Sequence, residues 1–363
     1  ATRVNENGLI EEVASNVPRL DYSDGGCPSL LLEPTATNII PYSEDFTQWS
    51  QQGVSTVSNS AISPDGTLNA DKITATTTDP APFIFTNVTA TEHTFSFYYK
   101  GEANSIGKEA RVLFWFIGTA TGTTLSVPFT LTGDWQRFES QITPTGAGTL
   151  ALRIDFPVND ATIGDYGYLW GAQLEENSYA TSYIKTVGTT QTRSADTANG
   201  AGNASTFNDS QGVLMFEGSA LADDGTDRVI TISDGTNSNR LTFYYGIASN
   251  TINFNVYSGN ILQAFTSYEL SDSSTFSKFS VKYKQNDFAL WVDGFKVFVD
   301  GSGISPINLD RINFALGNQS VPFYGNTKQI QYYDSALNDS ELEKLTSYTS
   351  FTAMANAQSY TII

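Results

Sequence analysis

Apolar and polar residues alternate along most of this chain. In HTFSFYYKG, residues 93–101, Phe95, Phe97 and Tyr99 fall on one face of an extended segment, and Thr94, Ser96 and Tyr98 on the other. RVLFWFIG (111–118) is apolar on both faces, the pattern of a central strand covered on both sides. DWQRFESQI and TLALRIDF continue the series, with Gly, Pro, Asn and Asp between the strands. This predicts a first domain over 38–185 with two antiparallel sheets packed face to face, a jelly-roll sandwich. Residues 1–37 read as an extended N-terminal arm, with a turn at Asn5-Glu6-Asn7-Gly8. Residues 186–206, TVGTTQTRSADTANGAGNAST, lose hydrophobic periodicity and read as a linker.

Alternation resumes near Phe207. DRVITISDGTNSNRLTFYY is a hairpin pattern with its polar turn at Asp234 to Asn239. KFSVKYKQNDFALWVDGFKVFVD is a meander. Phe279, Val281 and Tyr283 share a face, Gln285-Asn286 turns the chain, and Phe288, Leu290 and Val292 share the next face. Asp293-Gly294 is a strong hairpin signal, and Phe295, Val297 and Val299 follow it. Trp291 lies opposite its apolar neighbours. A second sandwich is therefore expected over 207–347, with 348–363 as a C-terminal tail.

One segment breaks the β pattern. In KQIQYYDSALNDSELEKLTS (328–347) a strand runs into a short helix. Asn338 is an N-cap and Glu341 completes a capping box; Leu337 and Leu342 form a hydrophobic staple. Leu342 and Leu345 can pin the helix to the sandwich and close an end of the domain. The fold class expected is all-β: two tandem antiparallel sandwiches, an N-terminal arm and one short C-terminal helix.

Composition narrows the functions. The chain has 38 acidic and 19 basic residues, a formal charge of −19. Nucleic acid and anionic membrane surfaces are excluded as expected partners, because both need clustered Lys and Arg. Cys27 is the single cysteine and His93 the single histidine, so neither an intrachain disulfide nor a zinc cluster is available. No apolar run is long enough for a membrane-spanning helix. The opening ATRVNENG is the start expected of a processed or trimmed product.

Residues 279–300, followed by LDRINFALGNQSVPFYGNTKQIQYYDSALNDSELEKLT, resemble the laminin-G-like, concanavalin A-like lectin/glucanase fold over residues 207–347. TNIIPYSEDF from Thr37, with Trp49, and YGYLWGAQLEENSYATSYIKT (166–186) resemble the opening and closing strands of a carbohydrate-binding-module-like jelly roll. Such modules are common in tailed-bacteriophage tail and virion proteins, and the leading segment resembles what precedes them there. The resemblance implies a phage structural protein located in the virion, an appendage that touches the host surface.

The lectin-like fold also hosts glucanases, so glycoside hydrolysis is the obvious enzymatic alternative. It needs two carboxylates about 5–9.5 Å apart across a cleft. The Glu-x-Asp-x-Glu run that glucanases of this fold use is absent. Glu11-Glu12 lie in the arm, adjacent Glu175-Glu176 face opposite sides, Glu341 and Glu343 are on the helix, and Asp155 and Asp293 are isolated. His93 shares the parity of Phe95 and Phe97 and reads as a packed strand-end residue. No catalytic residue is assigned. A sugar site needs aromatic platforms with an Asn/Asp/Gln rim. Trp291, Trp115, Trp170 and Tyr245 are the candidates by type, with core packing the competing reading of each. In ADDGTDR, Asp223, Asp224 and Asp227 surround Gly225 and are candidates for calcium, with a solvated loop as the alternative.

The expectation is a non-enzymatic adhesive protein whose weak sites gain strength by repetition. Its expected partners are other virion proteins, further copies of itself (a trimer fits a fibre or spike) and host surface polysaccharide. The alternatives are a purely architectural virion protein and a capsule-degrading hydrolase.

Overall fold

A computed structural model of the chain describes residues 1–157 and 161–347. The tail expected over 348–363 lies outside the described residues. Among the described residues the fold is all-β apart from one α-helix and two short 3₁₀ turns. The chain forms two compact units: Ala1–Gly26 with Pro34–Ala195, and Cys27–Glu33 with the chain from Asp196 onward.

The first unit is a sandwich of two five-stranded antiparallel sheets. One runs in the order Gln136–Ile142, His93–Glu102, Tyr166–Glu175, Leu68–Ala75, Val54–Ile62. The other runs Leu125–Thr130, Glu109–Ile117, Gly148–Asp155, Ala81–Val88, Ser50–Gln52. Phe95, Phe97, Phe114, Leu150, Leu152 and Ile154 interdigitate between them, fully buried. His93 is buried at its strand end, and its Nδ1 donates to the Thr91 carbonyl at 2.8 Å.

The second unit is also a sandwich. One sheet has the order Asn199–Ala201, Arg311–Asn313, Arg228–Ser233, Arg240–Tyr245, Thr251–Ser258, Ile261–Glu269. The other contains Phe295–Asp300, Phe288–Val292, Ser277–Lys284, Gln211–Ala220, Gly325–Tyr333 and Ser29–Leu32, in that order. The meander turns at the expected places. Asp293 and Gly294 have φ of 46° and 88°, the left-handed pair of a type I′ hairpin. Past that turn the register slips between Leu290 and Trp291. Phe298 therefore packs on the core, while Phe295 and Val299 stand exposed on an edge strand.

Residues 1–37 are shared between the units. Thr2–Val4 and Ile10–Glu12 form a hairpin that packs on the first sandwich, with Ile10 against Trp170 and Tyr183. Ser29–Leu32 pairs with Gly325–Tyr333 and buries Leu32 in the second core. Ala36–Asn38 then pairs with Gln191–Arg193 in the first unit. The segment 186–206 contributes that strand and also Asn199–Ala201, which pairs with Arg311–Asn313. These strands have three residues each, too few for a period of two to show in the sequence.

The helix is Asp339–Thr346. Asn338 Oδ1 accepts from the Glu341 amide at 3.1 Å, and Glu341 Oε2 accepts from the Asn338 amide at 2.8 Å, a complete capping box. Leu342 is buried against Val213, Ala289 and Trp291, with Leu337 and Leu345 beside it. The helix thus covers the outer face of a sheet. Eight residues would not hold a helix in water without this contact.

Two predictions follow from this packing. Leu342→Ala should destabilise the second unit by about 2–5 kcal/mol through the cavity it leaves, and Asn338→Ala by about 0.5–2 kcal/mol through the lost cap. Hydrogen exchange of residues 288–300 and 339–346 measures both. In the first unit, the buried Asp71 carboxylate accepts from the Phe46 amide at 2.7 Å and the Asn59 amide at 3.0 Å. Burial, aided by the charges of Asp45 and Glu44, pushes its pKa up to about 6. Unfolded aspartate titrates near pH ~3.9, so between those values the folded chain keeps a proton that the unfolded chain has lost. The stability this confers is complete below about pH 4 and is lost as pH rises through about 6. Urea unfolding of the first unit across that window should show the decline, and Asp71→Asn should flatten it.

Candidate functional site

The four aromatic candidates have different fates. Tyr245 is in the second core, and its hydroxyl donates to the Gly218 carbonyl at 3.0 Å. Trp170 lies on the outer face of its sheet but is fully buried, its ring 4.4 Å from that of Tyr183 and covered by the N-terminal hairpin. Trp291 faces away from the inter-sheet core, as its parity predicts, yet the helix covers it and leaves it 6% exposed. None of these three can offer a face to a sugar in this arrangement. Trp115 is 57% exposed.

Trp115 belongs to Glu109–Ile117, whose even-numbered residues Val112 and Phe114 enter the core. Its odd-numbered residues face outward. The register places Trp115 opposite Ala151, and Ala151 opposite Phe85 on the next strand. Phe85 is 52% exposed. Two inter-strand spacings, roughly 10 Å, separate the backbones that carry the two aromatic rings, and only the Ala151 methyl lies between them in the row. The adjoining row holds Leu113, Arg153 and Phe83. Phe83 packs edge-on against Phe85 at 5.4 Å.

A polar rim borders these rings. Arg153 donates to Asp155 and Asp79 and, at 3.1 Å, to Gln52 Oε1. Arg111 also donates to Asp155. The network holds planar amide, carboxylate and guanidinium groups in fixed orientations beside the rings, which is how hydroxyls on an apolar ligand face are read. Phe83, Phe85, Asp79 and Arg153 were not among the sequence candidates. The signal lay in APFIFTNV, where Ile84 and the two phenylalanines have opposite parity, but only strand register shows that the phenylalanines face outward.

Several of the carboxylates that hydrolysis would need are tied into local structure. Glu175 is buried, its pKa raised by that burial, and accepts from Gln173 Nε2, the Thr181 amide and the Thr181 hydroxyl. Glu11 pairs with Arg3, and Asp293 accepts from the Lys278 amide in its hairpin. Glu341 is consumed by the helix cap. In the calcium candidate, both Asp224 oxygens accept from Arg228 Nη2, at 2.8 and 2.9 Å. Asp223 accepts from the Ser249 hydroxyl and the Asn250 amide, and burial raises the pKa of Asp227. This donor set does not fit a calcium ion. Among the described residues, no group of three or more His, Cys, Asp or Glu is arranged to hold a metal.

No family model and no curated protein matches the chain. Three solved structures illustrate what it is similar to. The CBM40 of the Ruminococcus gnavus IT-sialidase, bound to α2,3-sialyllactose, is 15% identical over 41% of this chain and 94% of that one, with a TM-score of 0.35. The LG4-5 domains of the mouse laminin α1 chain are 11% identical over 69% of this chain and 86% of that one, at 0.30. The CBM22-1-CBM22-2 tandem of Paenibacillus barcinonensis Xyn10C is 11% identical over 89% of this chain and all of that one, at 0.29. For a leech intramolecular trans-sialidase, the match covers 27% of that chain.

Proposed function

We propose that the first sandwich binds glycan on the outer face of the sheet carrying Trp115 and Phe85, and that the protein acts by adhesion and not by catalysis. The observation that carries this is the pair of half-exposed aromatic rings flanking Ala151, beside the Arg153–Asp155–Asp79–Gln52 network. Two large rings left in water on one row of a sheet give up the burial that their size would otherwise supply. Sugar rings present flat CH-rich faces that lie against such planes, while their hydroxyls meet the polar rim. Repeated copies of a weak, shallow site of this kind raise effective concentration and hold a surface. The placement of the protein on a bacteriophage virion is part of this proposal and rests on the resemblance of the N-terminal segment and residues 166–186.

A second reading, purely architectural, is favoured by one observation. The strands Ile261–Glu269 and Phe295–Asp300 end their respective sheets in the second unit. Between them they expose Ile261, Leu262, Phe265, Phe295 and Val299, an apolar edge suited to protein contacts.

Trp115→Ala and Phe85→Ala should each weaken binding to immobilised host polysaccharide by about tenfold, the loss expected for one stacked ring, with circular dichroism unchanged. Equal binding by wild type and both variants would refute the platform. New reducing ends accumulating on the polysaccharide would replace adhesion with hydrolysis. Under the architectural reading, Phe295→Lys with Val299→Lys should lower the sedimentation coefficient of an assembled form and leave polysaccharide binding unaltered.

A further inference from the structure

The cover that the N-terminal hairpin gives the first sandwich is incomplete. A cleft of about 490 Å³ opens where the hairpin meets the sheet, within the size range of small-molecule sites. Leu9 and Ile10 of the hairpin, Ile62 and Pro64 at the end of an edge strand, and the aromatic residues Tyr98 and Trp135 line it. Tyr98 alternates with the core residues Phe97 and Tyr99 and so faces outward, and both it and Trp135 stay partly exposed. Hydrogen bonds fix the walls. Trp135 Nε1 donates to the Ile62 carbonyl at 3.0 Å, and the Ile10 amide donates to the Pro64 carbonyl at 2.9 Å. The hairpin turn is itself braced, because Asn5 Oδ1 accepts from the Asn7 and Leu9 amides at 2.9 and 3.1 Å. Leu9 is seated on Gly66, where a Cβ would come within 3.0 Å of it. The cleft is therefore preformed, which spares a ligand the cost of ordering it.

We infer that this cleft is a second saccharide site and takes an uncharged sugar that carries a methyl group, an N-acetylhexosamine or a 6-deoxyhexose. The lining selects it. Among the described residues that form the lining there is no Asp, Glu, Lys or Arg. Asp65 stands just beyond Pro64. Burial works against its charge, but hydrogen bonds from Ser63, Thr67 and Asn69 hold its carboxyl below the usual range, so it repels an anionic ligand. The aromatic residues suit the CH-rich face of a sugar ring. The aliphatic residues set the substituents. A hydroxyl buried against Leu9, Ile10, Ile62 or Pro64 finds no partner and costs free energy, whereas a methyl group in the same place is stabilised by its own burial. Polar groups in the lining are few: the Ser63 and Tyr98 hydroxyls and the Gly8 backbone. The Ser63 hydroxyl already donates to Asp65 Oδ1 at 2.6 Å, so it is left to accept from a ligand hydroxyl. An acyl chain would bury all three polar groups without satisfying them. For its ligand class the site rests on the glycan reading, but it uses none of the Trp115 platform's residues and lies on the other sheet of the sandwich, so either site can fail alone.

The test uses the full chain carrying Trp115→Ala, which removes the other platform. It is titrated with matched sugars: N-acetylglucosamine against glucose, N-acetylgalactosamine against galactose, L-fucose against L-galactose and L-rhamnose against L-mannose. The readout is the NMR signal of the Trp135 indole N–H, with the amides of Gly8 and Ser63. At least one methyl-bearing sugar should move these signals and bind about tenfold or more tightly than its counterpart, the ratio expected when an apolar group enters an apolar site. The pairs that show the preference distinguish an acetamido methyl from a 6-deoxy one. Leu9→Ala with Ile62→Ala, at positions 37% and 55% exposed, should abolish the preference and leave the amide spectrum that of a folded chain. The inference is overturned if no sugar moves the signals, if binding is equal within every pair, or if the preference survives in the double alanine variant. Movement of the same signals by 1-octanol and by no sugar would assign the cleft to acyl chains and also overturn it. Should the alanine variant not fold, the matched pairs on the Trp115→Ala chain decide.

Discussion

A sandwich core takes up only one face of each sheet. Phe95, Phe97, Phe114 and Leu152 meet between the sheets of the first unit, and Phe216, Phe243, Phe254 and Phe279 between those of the second. Packing at this density fixes register, because a slip of one residue would exchange the inward and outward sets of a whole strand. Once register is fixed, every odd or even position on the far side is committed to an outer face. What happens on those four outer faces differentiates the molecule.

Two of them receive an apolar cover. The N-terminal hairpin lays Ile10 and Val4 against Trp170 and Tyr183, and Thr2 Oγ1 donates to the Tyr183 carbonyl at 2.7 Å. The helix Asp339–Thr346 brings Leu342 down on Trp291, Ala289 and Val213. A tryptophan on an outer face is in each case the residue covered, and burying one contributes on the order of 2–3 kcal/mol. That gain also lets an eight-residue helix persist in a β protein.

One further outer face stays open to solvent. It leaves Trp115 and Phe85 exposed beside an ordered charged network. That arrangement forgoes stability that an apolar cover would supply, and it is the basis of the proposed glycan platform. The exposed apolar edges at Ile261–Glu269 and Phe295–Asp300 are a second such departure.

Much of this architecture was legible from residue order alone, because strand alternation, the Asp293-Gly294 turn and the Asn338–Glu341 capping box are local signals. The short strands Gln191–Arg193 and Asn199–Ala201 were not, since three residues carry no measurable period. Candidate tryptophans could be nominated by type but not sorted. Trp291 and Trp115 both sit on outward positions, and their different exposure depends on a helix some fifty residues downstream of Trp291 closing over one and on nothing comparable closing over the other. Phe83 and Phe85 read in isolation like a core pair, and only pairing with Arg153 and Ala151 turns them outward. The sequence by itself determined which segments become strands, where they turn and where the helix starts, because those depend on neighbours along the chain. Which face of each strand meets water, and hence which aromatic and polar groups are left to bind, was decided by tertiary structure, because exposure depends on what packs above a residue and not on what precedes it.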